Sequence, residues 1–489
     1  MKTEDNVTPC TGALYVGGCP LPIENPIPVI NPARLSEVVG TIPAGSVREA
    51  RQAISVAHDA FAAWSALPIR ERARRLALAG EALMPGMDAR AVLLSRENGK
   101  IQREAWLDCM GAKKCTDYYV EVAKEFKLER DLPAPNGRVM VTRRAMGVTA
   151  IIVPWNAPVI LAFLGIAPAL IAGNTVVVKP SSFAPLALID SIRVMAEKLP
   201  PGVLNVVTGE GEVGAELCTH RLVRRVMFTG SVGVGAKVLQ NASATFKRCT
   251  MELGGNDPAL VLADADLDHT VPGLLKAVFT GSGQVCYDVK RIHVHKSLYA
   301  KFVDRFTEAA NNIVVGDGLD PHVTMGPLTT AHQFQFVNAL IAETKSGHGK
   351  VVEVGKKAVS GAAWENGYFI RPHIVTGVDH SDRVVRCEQF GPVIPIMPFS
   401  DEEEAIRFAN ETEFGLASSI WTADIDRGWR LAGRIDAGSA FINTHAMASA
   451  VDMPFGGFKS SGLGRGHGEV ALEEQFELQT ISTRRTDQS

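Results

Sequence analysis

The chain has 489 residues, 46% of them hydrophobic and 21% charged, with a formal net charge of −3. That length exceeds what one hydrophobic core organises, so two or three structural units are expected in an ordinary soluble chain. The near-neutral charge offers no pull toward nucleic acid or an anionic membrane, and short basic doublets such as Arg143-Arg144 and Arg224-Arg225 read as solvated faces.

In chain order, residues 47–65 carry Ala53, Val56, Ala57, Ala60, Phe61 and Trp64 on one helical stripe. Helices are expected again over 70–94 and 101–126. Pro133-Ala-Pro-Asn-Gly137 breaks that pattern, and Val139 and Val141 then alternate as in a half-exposed strand. From about residue 148, short β-branched runs (150–153, 175–178, 204–207, 225–228 and 250–253) alternate with helical stretches at 158–172, 186–198, 212–219 and 233–241. Such alternation implies a parallel sheet covered on both faces, with ligands at the carboxyl ends of its strands. A second α/β region runs from about 257 to 450, with a strand at 291–295 and a helix at 299–314. A glycine-rich loop follows at 454–465. The apolar run 157–172 contains Pro158 and Pro168 and is too short to span a membrane, so it reads as a buried helix. Met1-Lys-Thr-Glu-Asp-Asn6 has no apolar stretch, and the eight cysteines include no Cys-x-x-Cys pair. A cytoplasmic chain with reduced thiols is expected.

Two glycine-rich turns leave strands and open helices. Gly209, Gly211 and Gly214 make a Gly-x-Gly-x-x-Gly, although no acidic residue ends the next strand to hold a ribose. Phe228-Thr-Gly-Ser-Val-Gly-Val-Gly235 is the stronger candidate. Gly230 and Gly235 let backbone approach a ligand, Ser231 adds a hydroxyl, and a helix N-terminus favours a pyrophosphate. Lys179 ends a strand where its ammonium can reach a ribose.

Catalytic candidates lie elsewhere. Cys286 ends Phe279-Thr-Gly-Ser-Gly-Gln-Val-Cys286, an approach suited to an exposed thiol at a backbone turn. Glu252, before Gly254-Gly255, can serve as a general base on the thiol or on water. Asn156, in Pro154-Trp-Asn-Ala-Pro158, can donate to an oxyanion together with the Cys286 N–H. His293 and His295 share a strand face without a third ligand at suitable spacing, so no metal centre is expected. No Gly-x-Ser-x-Gly elbow supports a serine hydrolase.

Together these segments resemble the aldehyde dehydrogenase superfamily. The matching pieces are Pro154-Trp-Asn156, Lys179-Pro-Ser-Ser182, Phe228-Thr-Gly-Ser231, Glu252-Leu-Gly-Gly255, Gly283-Gln-Val-Cys286, Glu388-Gln-Phe-Gly-Pro392 and Pro454-Phe-Gly-Gly457. The resemblance implies an α/β fold with a Rossmann-like cofactor domain (1–126 and 145–253), an α/β catalytic domain (254–455) and a small β oligomerisation element (127–144 and 470–489), in a homodimer or homotetramer. It implies oxidation of an aldehyde with NAD or NADP through a Cys286 thioester that Glu252-activated water hydrolyses. The alternative is a cofactor-independent thiol esterase on the same site. Cofactor contacts implied or expected are Trp155, Lys179, Ser182, Gly211, Gly230, Ser231, Gly235, Glu388 and Phe390.

Three departures from the family pattern carry expectations. Ser182 stands where NAD-preferring members often carry a glutamate, which opens the site to NADP. Gly165 stands where many relatives carry a lysine that shares protons with a C-terminal glutamate, expected to be Glu477. Tyr287 follows the nucleophile, and Ala157 stands where an aromatic is frequent after the Asn. Together with Leu161, Leu164, Val285, His445 and Met447 they are expected to form a mostly apolar tunnel for a medium-chain or aromatic aldehyde.

Overall fold

The computed structural model describes residues 10–21, 25–134, 137–445 and 451–484. All five expected strands of the first alternating region form, as Val148–Ile152, Thr175–Lys179, Leu204–Val206, Val223–Thr229 and Arg248–Glu252. They pair in parallel. The chain builds outward from Val148–Ile152 in one direction, then returns to its other side with Val223–Thr229 and Arg248–Glu252. That reversal puts a topological switch point at the carboxyl end of Val148–Ile152, immediately before Trp155 and Asn156.

Helices cover this sheet. Val47–Ser65 starts at a Ser46 capping box with Glu49 and buries Trp64, whose indole N–H donates to the Leu170 carbonyl at 3.1 Å. Pro158–Ala172 is buried along most of its length. Pro158 sits in its first turn, where no N–H is needed, and Gly173 closes it at φ 98°. Among the described residues no helix is long and apolar enough to cross a membrane.

The expected helix over 70–94 is two helices, Ile69–Glu81 and Met87–Asn98, parted at Pro85-Gly86 where Gly86 takes φ 76°. The helix from Tyr299 stops at Ala310, and Val314–Val315 is a short strand. An antiparallel ribbon, Pro26–Asn31 with Arg34–Pro43, precedes the first helix. Pro26–Asn31 is an edge strand, where prolines are tolerated.

The second sheet runs, in spatial order, Lys350–Glu353, His373–Thr376, Val393–Phe399, Val289–His295, Asp257–Val261, Ala417–Trp421 and Ser439–Ile442. Only Lys350–Glu353 is antiparallel to its neighbour. A third sheet joins Glu129–Leu132, Gly137–Ala145 and Phe476–Arg484. The glycine-rich loop returns to the first sheet, where Gly462–Leu463 pairs antiparallel with the end of Arg248–Glu252.

Candidate active site

Cys286 follows three successive left-handed residues, Gly281 (φ 58°), Ser282 (φ 62°) and Gly283 (φ 73°). A Cβ on Gly283 would stand 2.5 Å from the Gly391 carbonyl oxygen, so this position requires glycine for both dihedral and space. Ser282 holds its strained conformation through Oγ, which donates to the Gly326 carbonyl at 2.9 Å. The Glu104 carboxylate accepts the Gly281 N–H at 3.0 Å. Beyond the thiol, buried Lys290 donates to the Val285 carbonyl at 2.7 Å. The loop is braced on both sides, and Cys286 is partly exposed while Cys109, Cys115 and Cys218 are buried. Desolvation raises the Cys286 thiol pKa well above its ordinary value. The Glu388 carboxylate adds to that, Lys290 opposes it, and Glu252 and Asp257 add smaller contributions. The resting thiol is therefore protonated and needs a base.

Asn156 lies over this loop, its Nδ2 donating to the Gln284 carbonyl at 2.9 Å. Its turn is pinned from the helical layer. Asn98 Nδ2 donates to the Trp155 carbonyl at 2.7 Å, and Lys100 Nζ donates to the Asn156 carbonyl at 2.7 Å. Lys100 also pairs with buried Asp108 at 2.9 Å, and Asp108 accepts the Ile160 N–H at 2.8 Å. Asn98, Lys100 and Asp108 carry no sequence signal of this role, because they reach the turn only through tertiary packing.

Glu252 ends its strand buried. Its Oε1 accepts the Gly466 N–H at 3.1 Å, while Oε2 has no protein partner. Burial raises its pKa to about 8, against the Gly466 N–H and the Arg465 guanidinium, which lower it; Glu474 raises it further. A Cβ on Gly456 or Gly466 would stand 3.1 or 3.3 Å from Oε1, so the glycine-rich loop forms the cradle of this carboxyl group. The C-terminal glutamate coupled to it is Glu474, not Glu477. Glu474 accepts from Thr250 Oγ1 at 2.6 Å and the Arg465 N–H at 2.8 Å and pairs with buried Arg225 at 3.1 Å. Glu477 instead pairs with Arg248 at 3.0 Å, both side chains well exposed. At Gly165 a Cβ would meet Met227 Sδ at 2.5 Å, so the space a longer side chain would need there is filled.

The expected cofactor contacts gather at the carboxyl ends of the first sheet. Lys179 ends its strand with its ammonium near the Glu210 carboxylate; burial lowers its pKa and Glu210 opposes that. Ser182 Oγ donates to Glu210 Oε1 at 2.8 Å. Ser231 is the extended N-cap of Val232–Ser243 and makes no side-chain capping bond. Space is open above Gly211 and Gly233, whereas a Cβ on Gly230 would strike the Phe228 ring and one on Gly235 would strike Leu253. Gly230 and Gly235 thus serve strand–helix packing, and the open surface lies at their neighbours. On the opposite side, Glu388 accepts the Gly255 N–H at 3.0 Å. Phe390, at φ 47°, meets Trp155 edge-on with centroids 5.6 Å apart. An open glycine surface, a free-standing hydroxyl at a helix N-terminus and polar groups on two sides fit a dinucleotide.

His293 and His295 are not brought together as ligands. The buried His293 ring stacks on His380, and His295 bonds Ser297 and the Ser400 carbonyl. Of the expected tunnel residues, Ala157, Leu161, Val285 and Tyr287 are partly exposed, but Leu164 is buried in the helical core. His445 Nε2 donates to the Tyr287 carbonyl at 2.7 Å, which makes it a brace of that loop. Met447 lies outside the described residues. Phe455, which sequence reasoning did not place near the thiol, packs against the residue that follows Cys286. It meets Tyr287 edge-on at 5.6 Å and stacks on His467 at 5.0 Å.

The aldehyde dehydrogenase family model matches residues 22–481. A glutarate-semialdehyde dehydrogenase of Pseudomonas aeruginosa is 37% identical over 474 residues, covering 96% of each chain. The crystal structure of a putative aldehyde dehydrogenase from Burkholderia cenocepacia superposes with a TM-score of 0.94 at 34% identity, covering 98% of both chains. A betaine aldehyde dehydrogenase from Staphylococcus aureus in complex with NAD+ superposes at 0.93 with 30% identity, again over 98% of both chains. The chain belongs to the aldehyde dehydrogenase family, and it is an oxidoreductase that converts an aldehyde to a carboxylic acid with NAD or NADP.

Proposed function

We propose that Cys286, Glu252 and Asn156 carry this oxidation, in a homo-oligomeric, cytoplasmic enzyme acting on medium-chain or aromatic aldehydes. Cys286 Sγ bonds to the carbonyl carbon as its proton passes to a base, and the C=O electron pair moves to oxygen. Asn156 Nδ2 and the Cys286 N–H donate to that oxyanion. A bound dinucleotide would supply the hydride acceptor for that carbon, and the carbon held on Cys286 would then stand at the level of an acyl thioester. Glu252 then takes a proton from water, the oxygen bonds to the acyl carbon, and the C–S bond breaks to release the acid and the thiol. The observation that carries this reading is the hydrogen bond from Asn156 Nδ2 to the Gln284 carbonyl, 2.9 Å, which lays an amide donor against the loop that ends at the thiol.

Lys179, Ser182, Gly211 and Ser231 would hold the cofactor from the first sheet, with Gly230 and Gly235 shaping the turn. Glu388, Phe390 and Trp155 would hold it from the far side. Residues 1–126 and 145–253 would form the cofactor unit, 254–455 the catalytic unit, and 127–144 with 470–489 the oligomerisation element. Phe476–Arg484 is an edge strand with Leu478 and Ile481 exposed, a surface suited to pairing with a second copy. Seven described cysteines are free, in keeping with a reducing compartment. The Tyr287–Phe455 wall favours apolar substrates. A kinetic panel of alkyl, aromatic, cationic and carboxylated aldehydes, run with each dinucleotide, tests this. Highest kcat/KM for a medium-chain or aromatic aldehyde is expected, and preference for a semialdehyde acid would overturn the substrate assignment. Ester cleavage without dinucleotide and without aldehyde oxidation would overturn the reaction.

A further inference from the structure

Ser182 lacks the carboxylate that would hold ribose hydroxyls from the Lys179–Ser182 segment, and on sequence alone it leaves room for a 2′-phosphate. The structure brings a carboxylate to Ser182 from another part of the chain. Glu210 lies between Gly209 and Gly211, in the turn that follows Leu204–Val206. That strand is the immediate parallel neighbour of Thr175–Lys179, with Leu204 opposite Val176 and Val206 opposite Val178. The two strands end side by side, so the turn after one reaches the segment after the other. Glu210 Oε1 accepts the Ser182 hydroxyl at 2.8 Å, and the Lys179 stem lies against Gly214 of the helix that Glu210 caps. A carboxylate, a hydroxyl and an ammonium thus converge beside the open surface of Gly211.

We propose that Glu210 is the specificity-determining residue that selects NAD over NADP, by supplying from the Gly209–Gly211 turn the carboxylate that Ser182 does not provide. This rests on the reading of Lys179 and Ser182 as cofactor contacts. A carboxylate accepts hydrogen bonds from the 2′- and 3′-hydroxyls of a ribose and repels a 2′-phosphate. Lys179 alone would favour the phosphate. Glu210, beside it, cancels that advantage, and the Ser182 hydroxyl ties down the carboxylate of this exposed residue.

The test is equilibrium binding of NAD+ and of NADP+ to the full chain by titration calorimetry, without aldehyde. The wild type is expected to bind NAD+ about tenfold or more tighter than NADP+, and Glu210→Gln is expected to bring the two within roughly threefold, chiefly by strengthening NADP+. Ser182→Ala should move the ratio the same way by less. Glu212→Gln removes an equal charge from the first turn of the same helix and should leave the ratio where it is. Equal wild-type affinities, or a ratio unchanged in Glu210→Gln, would overturn the role of Glu210 while leaving the cofactor site in place. Failure of both dinucleotides to bind the wild type would overturn the cofactor site, and the role of Glu210 with it.

Discussion

The two large sheets present opposite ends to the same site. The first offers carboxyl ends: Asn156, Lys179, Ser231 and Glu252 all end or follow its strands. The second offers amino ends: Gly254-Gly255 precede Asp257–Val261, Cys286 precedes Val289–His295, and Glu388 and Phe390 precede Val393–Phe399. Carboxyl ends open naturally into strand–helix turns with free N–H groups. Amino ends have no such turn, and the second sheet reaches the site only through irregular backbone. That accounts for the positive φ at Ser282 and Phe390, and for the buried Lys290 and Asp257 and the partly exposed Glu388 that crowd around the thiol. The first region presents ordinary geometry; the second presents braced, costly geometry, which suits the proposed role of holding a thiol for attack.

Removing the thiol breaks the comparison most severely. Cys286→Ala should lower aldehyde oxidation by on the order of 10⁴-fold or more, because a nucleophile has no substitute. Dinucleotide affinity should remain, since most of its proposed contacts lie on the first sheet. Steady-state kinetics and calorimetry on one preparation check both halves. Near-normal turnover, or loss of cofactor binding, would show that the two regions do not divide the work in this way.

Glu252 stands where the first sheet hands the chain to the second, and its protonation should set the pH profile. With its pKa raised to about 8, the carboxyl group is neutral below that pH and a competent base above it. Turnover should therefore rise with pH through about 8. Glu252→Gln should flatten that limb and lower kcat by roughly 10²–10⁴. If thioester hydrolysis is the step it serves, an acyl-enzyme should accumulate in Glu252→Gln and be visible by intact-protein mass spectrometry. An unchanged limb would assign the base to another group.

Asn156 is the first sheet's own contribution to the proposed chemistry. Asn156→Ala should lower kcat by about 10²–10³ with little change in KM, as for loss of an oxyanion donor. A larger effect on KM than on kcat would make it a substrate contact instead.

The same division decides what was legible in the sequence. Repeating β-branched runs locate the first sheet to within two residues at each end, and glycine-rich turns mark its carboxyl ends, because both are local signals. Cys286 was singled out by its glycine-rich approach and Glu388 only through motif resemblance, since no periodicity announces a loop before a strand. Long-range partners were not legible at all. Gly466 reaches Glu252 across 214 residues of chain and Asn98 reaches Trp155 across 57, and neither separation leaves a pattern. Glu474 and Glu477 differ by three residues, yet one points to Arg225 and the other to Arg248; helix end against strand start decides it.

The smallest effects discriminate best between binding turn and braced loop. A Cβ at Gly283 would collide with the Gly391 carbonyl at φ 73°, so Gly283→Ala should lose roughly 1–3 kcal/mol of stability along with activity. Gly211 has an ordinary φ, opens its helix, and has no atom within 4 Å of a Cβ position. Gly211→Ala should therefore gain about 0.4–1 kcal/mol, because it restricts the unfolded chain at no steric cost. If that open space receives the dinucleotide, the same methyl should weaken its binding. Thermal unfolding and calorimetry would then move in opposite directions, a more stable protein with a poorer cofactor site. A variant that gains stability and keeps full affinity would place the cofactor away from this turn.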